Sequence, residues 1–338
     1  MVRGKMGDSK SMASEPYVSA WVVSTDPIVT YSKRSTGVPL GIAGARPDAF
    51  RGRKALHLIG LSFTLEPPQR YQRVADELAE LARQLPESRF VVLTNSEFES
   101  YLLSTVRVPS MMSSQLVFLD DRTFRPMDVE QRFDAIYNAR LLPMKRHELA
   151  RDVPNLALLY DLGPAEEPAE YDRIRALLPR AAFLNHEAGA GVYRQFKIEE
   201  CARHLNTARV GLALSAVEGP MQASLEYLLC GLPVVSTRSV GGRDRYFMPP
   251  FCRIVADDPA AVADAVATLA GARIPKAAVR GHIMHLLNFE RHNFLIAVNR
   301  LVKETFGTDG LFTSFAPFER GLTRWRPLDE ALAPLAAA

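Results

Sequence analysis

The sequence predicts an α/β protein of two doubly wound domains, on three observations. Short apolar runs alternate with longer amphipathic stretches over nearly the whole length, the mark of strand–helix units. The runs are apolar throughout instead of alternating with polar residues, which means burial on both faces, as in parallel sheets. The predicted strands number about ten, more than one open sheet usually holds, and 338 residues suffice for two cores.

Residues 1–15 are polar and lack the apolar segment of a secretory leader, so a disordered tail is expected. A strand over 18–23 opens the first domain, 16–128. Residues 33–50, rich in Gly, Pro and Ala, read with the basic run 51–54 as loop, the former placed over a cleft. A strand over 55–61 precedes a helix over 69–84, whose Val74, Leu78, Leu81 and Leu85 form one stripe ended by Pro86. A strand over 90–94, a helix over 96–104 and a strand over 116–119 follow. The polar stretch 125–132, with Pro126, sets the domain boundary. The second domain, 129–310, continues with strands over 135–138, 156–160, 182–184, 210–214, 234–236 and 253–255. Its helices are expected over 144–151, 168–178, 193–205, 220–230, 259–270 and 276–305. The last segment, 311–338, carries Phe312, Phe315, Phe318 and Trp325 and is expected to pack.

Composition excludes several classes. Hydrophobic residues make up 47% and charged residues 23%, as in soluble globular proteins. The net charge of +3 is too small to argue for nucleic acid, yet does not repel an anionic substrate. Cys201, Cys230 and Cys252 lack CxxC spacing and read as reduced, buried thiols of a cytoplasmic protein. No apolar run is long enough to span a membrane. There is no GxxxxGK[ST] and no GxSxG. His282 and His285 have no further ligands beside them, and Asp120–Asp121 reads as a loop at a strand end, so no metal is expected.

The most informative segment is 210–237: buried strand, short loop, helix, Gly231 as a stop, buried strand. Glu218 and Glu226 bracket the helix start, and Pro220 fits its first turn. The amides of Met221, Gln222 and Ala223 are then open to an anion at the positive end of the helix dipole. A phosphate there, with carboxylates on either side to accept sugar hydroxyls, suits a nucleotide sugar. Two plainer readings stand beside this one: Ser215 and Glu218 match a capping box, and Glu226 fits a solvated helix face. Upstream, Arg140 and Lys145 follow a strand end, with Arg146 and His147 adjoining. Cations so placed would stabilise a diphosphate leaving group as its charge develops; the alternative is a solvated basic loop.

The elements LALS (212–215), EGPMQASLE (218–226), CGLPVVST (230–237) and SVGGRD (239–244) occur in the order and spacing of a known pattern. In them the chain resembles the retaining glycosyltransferases of the GT-B fold, family 4 (glycosyl transferases group 1), over roughly 133–270. The resemblance implies two Rossmann-like domains facing a cleft, with an acceptor domain first, a nucleotide-sugar domain second, and a C-terminal segment that returns to the first. It assigns Arg140 and Lys145 to the donor diphosphate, Glu226 to the ribose hydroxyls and Glu218 to the donor sugar. Gly219, Met221, Gln222, Gly241 and Gly242 would bind the donor too, and the segment 185–192 would lie near the base. Asp244 loosely matches a Glu of the family. The expected reaction is transfer with retention from a UDP- or GDP-type sugar to a small-molecule, glycan or peptide acceptor. It would need no cofactor or enzymic nucleophile, the leaving phosphate serving as base. One departure is Pro220–Met221, where relatives often carry Phe-Gly; it leaves the sugar open. The rival readings are an epimerase or phosphorylase of the same fold and a non-catalytic nucleotide-sugar-binding protein.

Overall fold

The computed structural model describes residues 17–34, 40–67, 69–162, 168–186, 192–319 and 325–337. The expected tail at 1–15 lies outside them. Two sheets form, of five and six strands, plus a two-stranded ribbon.

The first sheet is built from β2 (Ala20–Thr25), β3 (Ile28–Arg34), β4 (Ala55–Leu61), β5 (Ser88–Thr94) and β6 (Ser110–Met112), side by side in that order. β2 runs antiparallel to β3 and the rest are parallel. The strand expected over 18–23 is split at Ser19 into a short β1 (Tyr17–Val18) and β2. Because the order never reverses, the crossovers carry α1 (Gly41–Ala45), α2 (Arg70–Gln84) and α3 (Glu97–Thr105) to one face. The stripe Val74, Leu78, Leu81 and Leu85 is buried there. Residues 40–50 do not lie over the cleft: Leu40, Ile42, Ala43 and Phe50 pack into this core. Positions 35–39 of that expected loop are outside the described residues.

The opposite face, with Trp21, Val29, Tyr31, Leu56, Leu58, Val91 and Leu93, is closed by other parts of the chain. The expected strand over 116–119 is instead a 3-10 turn, Gln115–Phe118, capped by the Ser114 hydroxyl. Phe118 meets Phe294 edge to face at 5.2 Å and stacks with Phe315 at 5.7 Å. Phe312, Phe315 and Phe318 are buried; Trp325 is not, at 44% exposure.

The second sheet holds β7 (Phe133–Asn138), β8 (Leu156–Leu159), β9 (Ala182–Phe183), β10 (Ala208–Ala213), β11 (Val234–Thr237) and β12 (Cys252–Val255). All pairs are parallel, in the order β12-β11-β10-β7-β8-β9. The chain winds one way from β7 and the other way from β10, the doubly wound Rossmann order. Its helices are α4 (Pro168–Leu177), α5 (Ile198–Asn206), α6 (Gln222–Leu229), α7 (Pro259–Gly271) and α8 (Lys276–Phe306). The helix expected over 144–151 is two 3-10 turns, Pro143–Lys145 and His147–Ala150, parted at Arg146, whose φ of 52° no α-helix accepts. α5 starts five residues later than expected, and α6 starts at Gln222, so Pro220 lies ahead of its first turn.

α8 ties the domains together. Its Arg291 guanidinium donates to the carbonyls of Val117 and Leu119, each at 2.9 Å, and pairs with Asp121 at 3.1 Å. The chain end returns to the first sheet: β13 (Arg326–Pro327) pairs with β1, and α9 (Leu328–Ala336) packs on β2. Among the described residues, no helix is long and apolar enough to cross a membrane.

Candidate active site

The two strands that wind in opposite directions, β7 and β10, are neighbours, and a crevice forms beyond their carboxyl ends. Open α/β sheets hold ligands at such a switch point. The sequence fills it with polar side chains. Asn138 ends β7, Ala139 and Arg140 follow, and Ser215 to Gly219 follow β10.

The loop after β7 is fixed from below. The Tyr137 hydroxyl, inside the core, donates to the Lys145 carbonyl at 2.6 Å. The Arg146 guanidinium reaches the Leu214 carbonyl at 2.7 Å, the Thr237 hydroxyl at 2.6 Å and the Asp257 carboxylate. Arg146 therefore anchors the loop to the ends of β10 and β11. His147 is buried against Tyr137; burial and the nearby Lys145 hold its imidazole down at about 3, so it stays neutral. Lys145, buried, extends back across the switch point and pairs with Glu218, whose other carboxylate oxygen accepts from Ser215. Glu218 is thus no helix cap, since α6 begins four residues on.

α6 approaches β10 closely because residue 211 is glycine: a Cβ there would stand 2.3 Å from the Tyr227 ring. Tyr227 in turn accepts the Asn138 N–H at 2.6 Å. Next to it on the helix, Glu226 is buried rather than solvated and receives the Asn138 side-chain amide at 3.0 Å. Burial pushes its carboxyl up to about 7, against the lowering effect of that hydrogen bond. Among the described residues, no side chain caps the start of α6.

Arg140, Lys145, Glu218, Met221, Gln222 and Glu226 line one cavity of about 370 Å³. Lys33, Ser62 and Gln115 of the first domain form its facing wall, and Asn138, Asp161 and Pro220 are also among its lining. A second cavity of about 900 Å³ adjoins it, sharing Ser62, Arg140, Lys145 and Glu218 and adding Phe63, Arg70 and Gly219. Lys33 and Gln115 do not stand out in the sequence. Ser62, Asn138 and Asp161 had a signal, their places at or just past the carboxyl ends of expected strands.

The glycines are placed otherwise. Gly241 and Gly242 line neither cavity. Gly241 (φ 101°) crosses over Glu218 so closely that a Cβ would meet its carbonyl oxygen at 1.9 Å, and its N–H goes to Glu66 of the first domain at 2.7 Å. A Cβ on Gly242 would lie 2.4 Å from that of Asn95, and one on Gly219 would lie 2.7 Å from the Phe63 main chain. These three glycines let the domains touch. Beside them the fully buried Arg243 binds the carbonyls of Ser215 and Thr237, the Ser236 hydroxyl and Asp244, stitching β10 to β11. Of the segment expected near a base, Asn185 is buried and spans Tyr160 N–H and the Arg194 carbonyl; 187–191 lie outside the described residues. Asp121, of the acidic pair, is engaged by Arg291.

No protein-family pattern matches the chain, and no curated protein matches it. Solved structures do. Sucrose-phosphate synthase from Thermosynechococcus elongatus is similar at TM-score 0.54 and 19% identity, over 75% of this chain and 68% of that one. A glycosyltransferase from Rickettsia africae matches at TM-score 0.54 and 12% identity, over 83% and 77%. Anabaena HepE in complex with UDP matches at 0.52 and 15%, over 76% and 72%. At such identities the likeness is one of fold: the chain has two Rossmann-like domains in the GT-B arrangement.

Proposed function

We propose that this protein is a glycosyltransferase that moves a sugar, with retention, from a nucleotide-diphosphate sugar to an acceptor bound between its domains. The observation that carries the reading is one cavity at the switch point that joins a buried carboxyl (Glu226), the Lys145–Glu218 pair and Arg140 to the uncapped start of α6. Glu226 would accept from the ribose hydroxyls. Arg140, Lys145 and the amides of Met221 and Gln222 would hold the diphosphate, and Glu218, oriented by Ser215 and Lys145, would meet the donor sugar.

In the reaction the bond from the sugar C1 to the diphosphate oxygen breaks and the nucleoside diphosphate leaves with the electron pair. The acceptor hydroxyl oxygen bonds to C1 on the same face, and its proton passes to the departing phosphate. Cations set in advance beside that phosphate stabilise the transition state more than the ground state. The adjoining cavity of about 900 Å³, walled by Phe63 and Arg70, offers the acceptor its room.

UDP is the first nucleotide to test, because the HepE structure contains it. Calorimetry should find UDP or GDP bound. Arg140→Ala and Lys145→Met should each lower turnover by about 10²–10³-fold, the effect of removing one preorganised donor, and Glu226→Gln should weaken nucleotide binding. Full transfer in all three variants, or no binding of either nucleotide, sinks the assignment.

A further inference from the structure

The wall that the first domain presents to the smaller cavity is not used by the reading above. Lys33, at the end of β3, lines this cavity, and no carboxylate among the described residues pairs with it. Lys33 is partly buried, and that burial holds its ammonium below the usual lysine range. The cavity's own acids are engaged elsewhere: Glu218 by Lys145 and Ser215, Glu226 by Asn138, Asp161 by the Tyr193 hydroxyl.

Gln115 lines the same cavity and packs over Gly60, the β4 residue that pairs with Lys33. It is 1% exposed, and among the described residues neither its amide nitrogen nor its amide oxygen has a hydrogen-bond partner. Its backbone is pinned, the Gln115 N–H donating to Asn95 at 3.3 Å. Gly60 leaves it room: a Cβ there would stand 3.1 Å from the amide nitrogen. A buried amide with both ends unmet costs stability unless a ligand completes it. An ammonium lacking a counter-charge and an amide offering N–H₂ beside C=O together fit an anionic oxygen group next to a hydroxyl.

We propose that Lys33 and Gln115 form a subsite for a carboxylate-bearing sugar, a hexuronate or its like, Lys33 and the Gln115 N–H₂ taking the carboxylate and the Gln115 carbonyl a neighbouring hydroxyl. The sugar is either the one transferred or the one at the acceptor terminus. The inference rests on the glycosyltransferase reading, and the experiment separates the two.

Binding of UDP and GDP to the wild-type chain comes first; absence of both overturns the parent reading and this one with it. Two arms follow. In one, UDP-glucuronate is compared with UDP-glucose as donor. In the other, uronate-terminated and neutral oligosaccharides are compared as acceptors. One arm should show a preference for the anionic substrate, and Lys33→Met should cut the anionic-to-neutral ratio of kcat/KM by about 10–100-fold, the equivalent of one charged hydrogen bond. Gln115→Leu should lower the same ratio while raising the thermal unfolding midpoint, since it removes the unmet amide. With nucleotide bound, no anionic preference in either arm, or a loss in Lys33→Met shared equally by charged and neutral substrates, overturns the subsite alone. A Lys33→Met loss confined to UDP affinity would assign Lys33 to the diphosphate and overturn it as well.

Discussion

Glu226 shows how one buried carboxyl couples pH to stability and, on the proposed function, to binding. Its folded-state value of about 7 lies above the ordinary 4.5. A raised value means that the folded protein holds the proton more tightly than the unfolded chain does. The stability this confers is complete below about pH 4.5 and is lost as pH climbs through about 7. At 1.36 kcal/mol per unit the window is worth about 3 kcal/mol. Glu226→Gln keeps the shape and the acceptor for Asn138 but cannot ionise. Urea midpoints should therefore diverge with pH, the variant being the more stable at pH 8 and the two nearly equal at pH 5; parallel curves across that range would contradict the buried-acid picture. Ligand binding has the opposite sign. Ribose hydroxyls that donate to this group favour its ionised form, so nucleotide affinity should rise with pH through about 7. Calorimetry in buffers of different ionisation heat should register proton release on binding.

At the scale of the element, α6 is positioned by what β10 omits. Gly211→Ala would drive a methyl into the Tyr227 ring, move the helix outward and disturb the Tyr227–Asn138 contact that sets Glu226. Overpacking of this kind costs about 1–3 kcal/mol, and here it should also weaken nucleotide binding. Gly271→Ala, where a Cβ meets nothing within 4 Å, is the control and should be neutral or stabilising. A Gly211→Ala protein with wild-type midpoint and affinity would refute the tight seat. The strands flanking α6 were legible because their apolar runs are continuous. β3 was not, because Thr30, Ser32 and Lys33 interrupt it. The Thr30 hydroxyl is met by His57 at 2.8 Å and Ser32 accepts the Ile42 N–H at 2.9 Å, partners that no local pattern reveals. Likewise Glu218 and Glu226 were visible from their spacing. The capture of Glu218 by Lys145, and the approach of Lys33 and Gln115 from another domain, depend on the tertiary fold.

For the whole molecule, the contact at the lip of the cleft decides whether the cavity is a complete site. On one side the domains are joined by the Phe118, Phe294 and Phe318 cluster and by Arg291 of α8. On the other they touch through glycines: Gly219 on Phe63, Gly241 on Glu66, Gly242 on Asn95. The first-domain wall cannot yield easily there. Asn95 is held through its side chain to the Leu61 carbonyl at 3.0 Å, and its N–H goes, with that of Leu65, to the buried Glu99 carboxyl. A side chain at 242 must therefore wedge the lip open instead of denting it. Gly242→Leu should enlarge the radius of gyration in solution scattering. The residues proposed to hold the nucleotide sit on the second domain, whereas the first domain sets the wall of Lys33, Ser62 and Gln115 against them, which in the proposed reaction would exclude water. Turnover should consequently fall by at least tenfold more than nucleotide affinity does, and hydrolysis of the donor should rise relative to transfer. If the variant keeps its compactness and its ratio of transfer to hydrolysis, closure at this lip has no part in the reaction.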